Sequence, residues 1–126
     1  MQDVPLTYIQ KPGYLHFQLG GENNYRKYLK SFQEILSLRR ASGLNKILIE
    51  GNPGGRISIE ETILLFQGII ELANEEIRKT KIAFVDRREN NKEYAQFAEN
   101  VAINRGFNFK TFNNLKEAEA WLISHG

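Results

Sequence analysis

The sequence predicts an α/β fold: a mixed, mostly parallel sheet of about five strands with four helices, in the order ββαβαβαβα. Three observations predict it. Two short and nearly continuous apolar runs, Lys46-Ile47-Leu48-Ile49 and Lys81-Ile82-Ala83-Phe84-Val85, read as strands buried on both faces. Longer segments around them carry apolar residues at 3/4 spacing, the period of a helix packed on one side. Strands alternating with helices of this length form βαβ units, which return parallel through right-handed crossovers.

Taken in order, the first element is a hairpin. Leu6-Thr7-Tyr8-Ile9 and Tyr14-Leu15-His16-Phe17-Gln18-Leu19 flank Lys11-Pro12-Gly13, a turn signal between two β-rich runs. The second run alternates, with Leu15, Phe17 and Leu19 on one side and Tyr14, His16 and Gln18 on the other. A long helix follows over roughly residues 22–40, its stripe made of Tyr25, Tyr28, Leu29, Phe32, Ile35 and Leu36. Arg39 and Arg40 stand in its last turn, where the helix dipole favours cations, and Gly43 is its stop.

After the strand at residues 46–49, Gly51-Asn52-Pro53-Gly54-Gly55 breaks the chain. Ser58-Ile59-Glu60-Glu61 reads as a capping box with Ser58 as N-cap. The helix it opens runs to about residue 79, and Ile59, Ile63, Phe66, Ile70, Ala73 and Ile77 are expected to face the sheet. A third helix carries Tyr94, Phe97, Ala98 and Val101 inward and stops at Gly106. A weaker strand covers residues 107–112. Asn114-Leu115-Lys116-Glu117 offers a second capping box, opening a short helix with Ala118, Trp121 and Leu122 inside.

Composition narrows the class. The chain has 126 residues, 17 Lys+Arg against 15 Asp+Glu, and no cysteine. That is one domain over residues 1–126, large enough for a core without staples. Disulfides, thiolate metal sites and cysteine nucleophiles are excluded. The longest apolar run, residues 63–66, is far short of the ~20 residues of a membrane span. Met1-Gln2-Asp3-Val4-Pro5 has no signal-peptide character. A net charge of +2 does not point to nucleic acid. A cytoplasmic, soluble protein is expected.

In open α/β sheets ligands bind beyond the carboxyl ends of the strands. Three loops lie there, and Gly54, Gly55, Arg56, Ser58, Arg87 and Arg88 are the candidate ligand- or anion-binding residues. No phosphate-binding fingerprint occurs among them, so tight turns and solvated arginines are the plainer account. Glu50 and Asp86 each end a buried strand, which makes a carboxylate pair conceivable. Strand-end carboxylates more commonly bond loop N–H groups, and no catalytic residue is assigned. His16 has no Asp, Glu or Ser near it in sequence, and His125 is in a terminal tail. No metal site and no cofactor is expected.

Two surfaces stand out. Beside the stripe of the Ser58 helix runs a second apolar line, Leu65, Ile69 and Leu72. The two lines together are wider than a surface helix needs. Either the helix is deeply buried, or the second line meets a partner, a second subunit or a ligand cavity. Arg26, Lys27, Lys30 and Arg40 on the first helix offer contact with phosphates or an anionic lipid surface, and interleaved Glu22 and Glu34 favour a solvated face.

Four stretches carry a family resemblance: Tyr14-Leu15-His16-Phe17-Gln18-Leu19-Gly20-Gly21, Lys46-Ile47-Leu48-Ile49-Glu50-Gly51, Lys81-Ile82-Ala83-Phe84-Val85-Asp86 and the close Phe112-Asn113-Asn114-Leu115-Lys116-Glu117-Ala118-Glu119-Ala120-Trp121-Leu122. With the order of elements, they resemble the SpoIIAA-like branch of the STAS superfamily, the STAS/SEC14-like small bacterial proteins. The resemblance spans nearly the whole chain, mostly at core positions, so it speaks to fold more than function. It implies a sheet flanked by helices without catalytic residues. It also implies a regulatory, protein-binding module, or a holder of small apolar ligands near membranes. In the anti-sigma factor antagonists a phosphorylatable Ser opens the helix after the third strand, where Ser58 stands here. The surrounding Arg56-Ile57-Ser58-Ile59-Glu60-Glu61 departs from their motif, and two adjacent glutamates oppose a phosphate. Ser58 is therefore read first as a cap.

The leading expectation is a non-enzymatic STAS-type module. It uses residues 51–58 and the helix after them, as a homodimer or with a protein partner. The alternative is a carrier or sensor of a small amphipathic ligand. Tyr25, Tyr28, Phe66 and Phe97 would line a cavity of about 300 Å³ or more, and Arg56 or Arg87 would meet the headgroup. An enzyme using Glu50, Asp86 and the arginines is the third.

Overall fold

The computed structural model describes residues 6–20, 25–52, 58–86 and 92–124. Its elements follow the expected order: β1 Thr7–Lys11, β2 Tyr14–Gly20, α1 Tyr25–Ser42, β3 Lys46–Asn52, α2 Ile59–Arg78, β4 Lys81–Asp86, α3 Lys92–Asn104, β5 Asn108–Phe112 and α4 Leu115–Ile123. Gly13, at φ +89°, makes the hairpin turn, a conformation that costs glycine nothing. Gly43 and Gly106, at +75° and +90°, end α1 and α3 in the same left-handed region.

The sheet runs β1-β2-β3-β4-β5 in space as in sequence. β1 is antiparallel to β2, and β2 through β5 are parallel. Each right-handed crossover steps the same way, so α1, α2 and α3 fall on one face. Leu15, Phe17, Ile47, Ile49 and Ile82 point to that face and pack with Ile35, Leu36, Phe66, Ile77 and Val101 in the main core. Alternate residues of the same strands, Tyr14, Leu48, Ala83 and Val85, point to the other face and pack under Ala118 and Leu122 of α4. The strand order never reverses, so the sheet has no switch-point crevice.

The caps divide. Ser58 forms the full box: its Oγ accepts the Glu61 N–H at 3.0 Å, and Glu61 Oε1 accepts the Ser58 N–H at 3.2 Å. At α4 the expected second box is half-formed. Asn114 Oδ1 accepts the Glu117 N–H at 2.9 Å, but Glu117 Oε1 takes the Asn114 side-chain amide at 2.7 Å instead of its backbone. The other end of α4 is held by Lys81, only 7% exposed, whose Nζ donates to the carbonyls of Trp121 at 2.7 Å and Ser124 at 3.1 Å. Burial, then the like charge of Lys46, holds its ammonium below the usual lysine range.

Helix α2 differs from expectation in phase. Its buried residues are Thr62, Phe66, Ile69, Ala73 and Ile77, while Ile59 is 54% exposed. These buried residues still form one stripe at 3/4 spacing, turned by about 40° from the expected one, and the backbone leaves helical geometry at Ala73, where the helix kinks. The second apolar line comes apart accordingly. Ile69 lies in the core and offers nothing to a partner, Leu65 is half-buried, and Leu72 is 48% exposed.

The basic ends of α1 have an internal partner. Arg39 donates to Glu76 Oε2 from Nε at 3.0 Å and Nη2 at 2.6 Å, and Arg40 donates to Oε1 from Nε at 3.0 Å and Nη2 at 2.8 Å. One carboxylate on α2 thus accepts two guanidinium forks from α1. Arg40, read above as part of a phosphate-seeking face, is spent on this clasp.

Candidate functional site

A cavity of about 90 Å³ lies at the carboxyl ends of the parallel strands, between the sheet and α1–α3. Each parallel strand gives the floor one large apolar side chain: Leu19, Ile49, Phe84 and Phe109. Tyr28 and Phe32 of α1 form one wall, Leu65, Phe66 and Ile69 of α2 the roof, and Ala95 and Ala98 of α3 the far side. The small alanines, where a larger residue would fill the gap, and the half-buried first turns of α1 account for the space.

Gly51 shapes the floor. It pairs across from Leu19 and Asp86, and the Phe84 ring lies where its side chain would be, with Cζ 2.7 Å from an ideal Cβ. Edge-on contacts of Phe66 with Phe107 and Phe109, at centroid distances of 5.1 and 5.7 Å, fix the inner end.

Five of the lining side chains carry polar atoms: Tyr28, Thr62, Asp86, Tyr94 and Thr111. Thr62 Oγ1 donates to the Ser58 carbonyl at 2.8 Å and lies 2.6 Å from the Tyr94 hydroxyl, joining α2 to α3. Thr111 Oγ1 donates to Glu99 Oε1 at 3.1 Å, and its backbone N–H donates to the same oxygen at 2.8 Å. Asp86, at the end of β4, is 8% exposed.

A second cluster sits on the opposite face. His16 Nε2 lies 2.8 Å from Glu50 Oε1, and Gln18 Nε2 donates to the same oxygen at 3.3 Å. Parallel pairing places Gln18 beside Glu50 and His16 beside Leu48, so the three side chains share the α4 face. Sequence reasoning found no carboxylate for His16. The partner is 34 residues away, and only the β2–β3 register could have revealed it. Nearby, the Tyr14 hydroxyl donates to Glu119 Oε2 of α4. Burial, reinforced by that carboxylate, pushes the Tyr14 phenol up to about 12.

The conceivable Glu50–Asp86 pair does not form. Glu50 is level with Val85, and Asp86 with Gly51, so the two carboxylates point to opposite faces. Of the expected cavity aromatics, Tyr28 and Phe66 line it, whereas Tyr25 and Phe97 do not. Its volume is below the 300 Å³ expected for an amphipathic ligand of ordinary size. Gly54, Gly55, Arg56, Arg87 and Arg88 lie outside the described residues. Ser58 is exposed, with its oxygen committed to the cap. Among the described residues no group of His, Asp or Glu side chains is placed to hold a metal ion, and no helix is long and apolar enough to cross a membrane.

No family model matches the chain, and no curated protein does. Among solved structures it is similar to an uncharacterised protein of the DUF3478 family with a SpoIIAA-like fold from Shewanella loihica PV-4. The two are 17% identical, the match covers 97% of this chain and 95% of that chain, and the TM-score is 0.59. That likeness runs through the same five strands and four helices described above, and on it the chain has a SpoIIAA-like fold.

Proposed function

We propose that the protein is a non-enzymatic STAS-type module that works by binding, and that its ligand is a small, mostly apolar molecule held in the cavity. One observation carries this reading: four strands and three helices each contribute to one apolar space at the strand carboxyl ends, with its polar groups confined to five side chains. Ligand sites have this make-up, an apolar lining with few fixed polar groups. The volume sets the occupant. Liquid water needs roughly 30 Å³ per molecule, so the space holds about three waters or a ligand of a few heavy atoms. Alternatively it takes one end of a longer amphipathic molecule whose remainder leaves at the mouth. Benzene is a suitable probe. Titrated against methyl-labelled protein, it is expected to shift Leu19, Leu65 and Ile69 saturably while leaving Leu122, under α4, unmoved. Uniform or absent shifts would remove the cavity from consideration.

A protein-binding role is favoured by a separate observation. Leu64 and Leu72, two turns apart on α2, are 46% and 48% exposed. They flank Gly68, against which Leu29 of α1 packs. A regulatory partner or a second copy covering this seam would bury both leucines. Light scattering on the wild type and on Leu72→Glu tests the second copy: a dimer that Leu72→Glu dissociates supports it, and a concentration-independent monomer removes it.

A further inference from the structure

We propose that β1 is an interface strand: two copies of the chain join antiparallel along it, about a twofold axis at Ile9, so that their sheets run on as one. This goes beyond the cavity reading above and does not depend on it.

The two edges of the sheet differ. At the β5 edge the Thr111 N–H donates to Glu99 Oε1 of α3 at 2.8 Å, so a helix side chain already engages that strand. At the β1 edge Thr7, Tyr8, Ile9 and Gln10 are all exposed. Ile9, at 61%, is the most exposed of the described large apolar residues.

The register of the hairpin says which backbone groups face out. Lys11 and Tyr14 close the hydrogen-bonded turn at Pro12-Gly13. Bonded and non-bonded pairs alternate along an antiparallel ladder, so Ile9–His16 and Thr7–Gln18 are bonded pairs as well. The N–H and C=O groups of Tyr8 and Gln10 therefore point away from β2. A row of such groups is a template for another strand.

The strand that fits is a second β1. With the axis at Ile9, Tyr8 stands opposite the partner's Gln10 and Gln10 opposite the partner's Tyr8, and all their outward groups pair. Ile9 falls opposite its own counterpart in a non-bonded pair, where side chains come closest. Each copy thus covers the other's most exposed apolar residue. Lys11, the one charge on β1, meets the partner's Thr7, so no like charges oppose. Neighbouring registers are poorer. An axis at Gln10 would set Tyr8 against Pro12, which has no N–H, and an axis at Tyr8 would run past the start of the strand. The contact uses the same patch on both copies and closes on a dimer. It leaves the seam at Leu64 and Leu72 to a different partner.

The chain has no cysteine, so a single introduced thiol reports the register. Ile9→Cys would place two cysteines across a non-bonded pair, with Cα atoms about 4.5 Å apart, within reach of a disulfide. Mild oxidation is expected to give a covalent dimer. Thr7→Cys would place its two thiols ~13 Å apart and is expected to stay uncross-linked. Equal cross-linking of both, or none at Ile9→Cys, would overturn the proposal. Sedimentation of the full chain from about 10 μM to about 1 mM, the span suited to a small interface, measures the strength. Wild type is expected to associate. Ile9→Lys sets like charges side by side at an exposed position. Gln10→Pro removes an outward N–H while sparing the β1–β2 ladder. Each is expected to weaken association about tenfold or more with the cooperative melt retained, and Leu72→Glu to leave it unchanged. If Gln10→Pro does not fold, Ile9→Lys decides alone. A monomer throughout, or a dimer that Ile9→Lys leaves intact, would overturn the proposal.

Discussion

His16 and Glu50 meet at 2.8 Å across the parallel β2–β3 pair, one 13% and the other 2% exposed at the side chain. A carboxylate this buried needs its hydrogen bonds, because removing one partner leaves the desolvation cost of the other uncompensated. His16→Ala is expected to destabilise the fold by about 1–3 kcal/mol. In a double-mutant cycle, Glu50→Gln is expected to cost less in the His16→Ala background than in the wild type. Denaturant unfolding measures both, and strict additivity would show that the pair is not coupled.

The clasp between α1 and α2 predicts an acid limb of the stability curve. Burial alone would raise the Glu76 carboxyl, but the hydrogen bonds and charges of Arg39 and Arg40 outweigh it and hold the group below the ordinary carboxylate range. A folded value lower than the unfolded one means that this stabilisation is fully present above about pH 4.5 and is lost as pH falls through the folded value. Glu76→Gln is expected to lower stability at pH 7 by about 1–3 kcal/mol and to flatten the curve below pH 4.5. Melting temperatures from pH 7 to pH 3 compare the two slopes.

Tyr14 predicts the opposite limb. Burial, then Glu119, raises its phenol to about 12, above the unfolded value of about 10. The folded state therefore keeps a proton that the unfolded state releases. The stabilisation is complete below about pH 10 and disappears as pH rises through 12. Tyr14 is expected to ionise late in an absorbance titration at alkaline pH, and Tyr14→Phe is expected to remove that late contribution.

Where the sequence was readable, one local rule decided the outcome. The capping box at Ser58 needs residues three apart, the turn at Gly13 needs one positive φ, and the runs at Ile47 and Ile82 need only burial on both faces. All of these formed. Contacts that depend on register between strands, or on the phase of a bent helix, were not readable. His16 finds Glu50 only because β2 and β3 align as they do. Glu50 and Asp86 part because adjacent strands end one residue out of step. The buried stripe of α2 is turned by about 40° from the one the apolar residues suggest, which leaves Ile59 outward and Ile69 inward. The cavity was expected at the strand ends, where it lies. Its size depends on how Phe84, Phe66 and two alanines pack, and no periodicity encodes that.

Gly51 turns that packing into a test. An alanine there would place its Cβ 2.7 Å from Cζ of Phe84, closer than real carbon contacts, so something must move. Strand β3 is hydrogen-bonded on both sides, to β2 and β4, and cannot shift without breaking two ladders. The Phe84 ring is half-buried and borders the cavity, so it has room to rotate into that space. Gly51→Ala is therefore expected to cost only about 1–3 kcal/mol, the range for a tolerated overpacking, and to close the cavity. Benzene shifts at Leu65 and Ile69 should vanish in a protein that still melts cooperatively. Phe66→Ala is expected to do the reverse: it should lose about 3–5 kcal/mol with the ring while binding benzene more tightly in the enlarged space. If Gly51→Ala bound benzene like the wild type, the ring would not be the wall that sets the volume of the site.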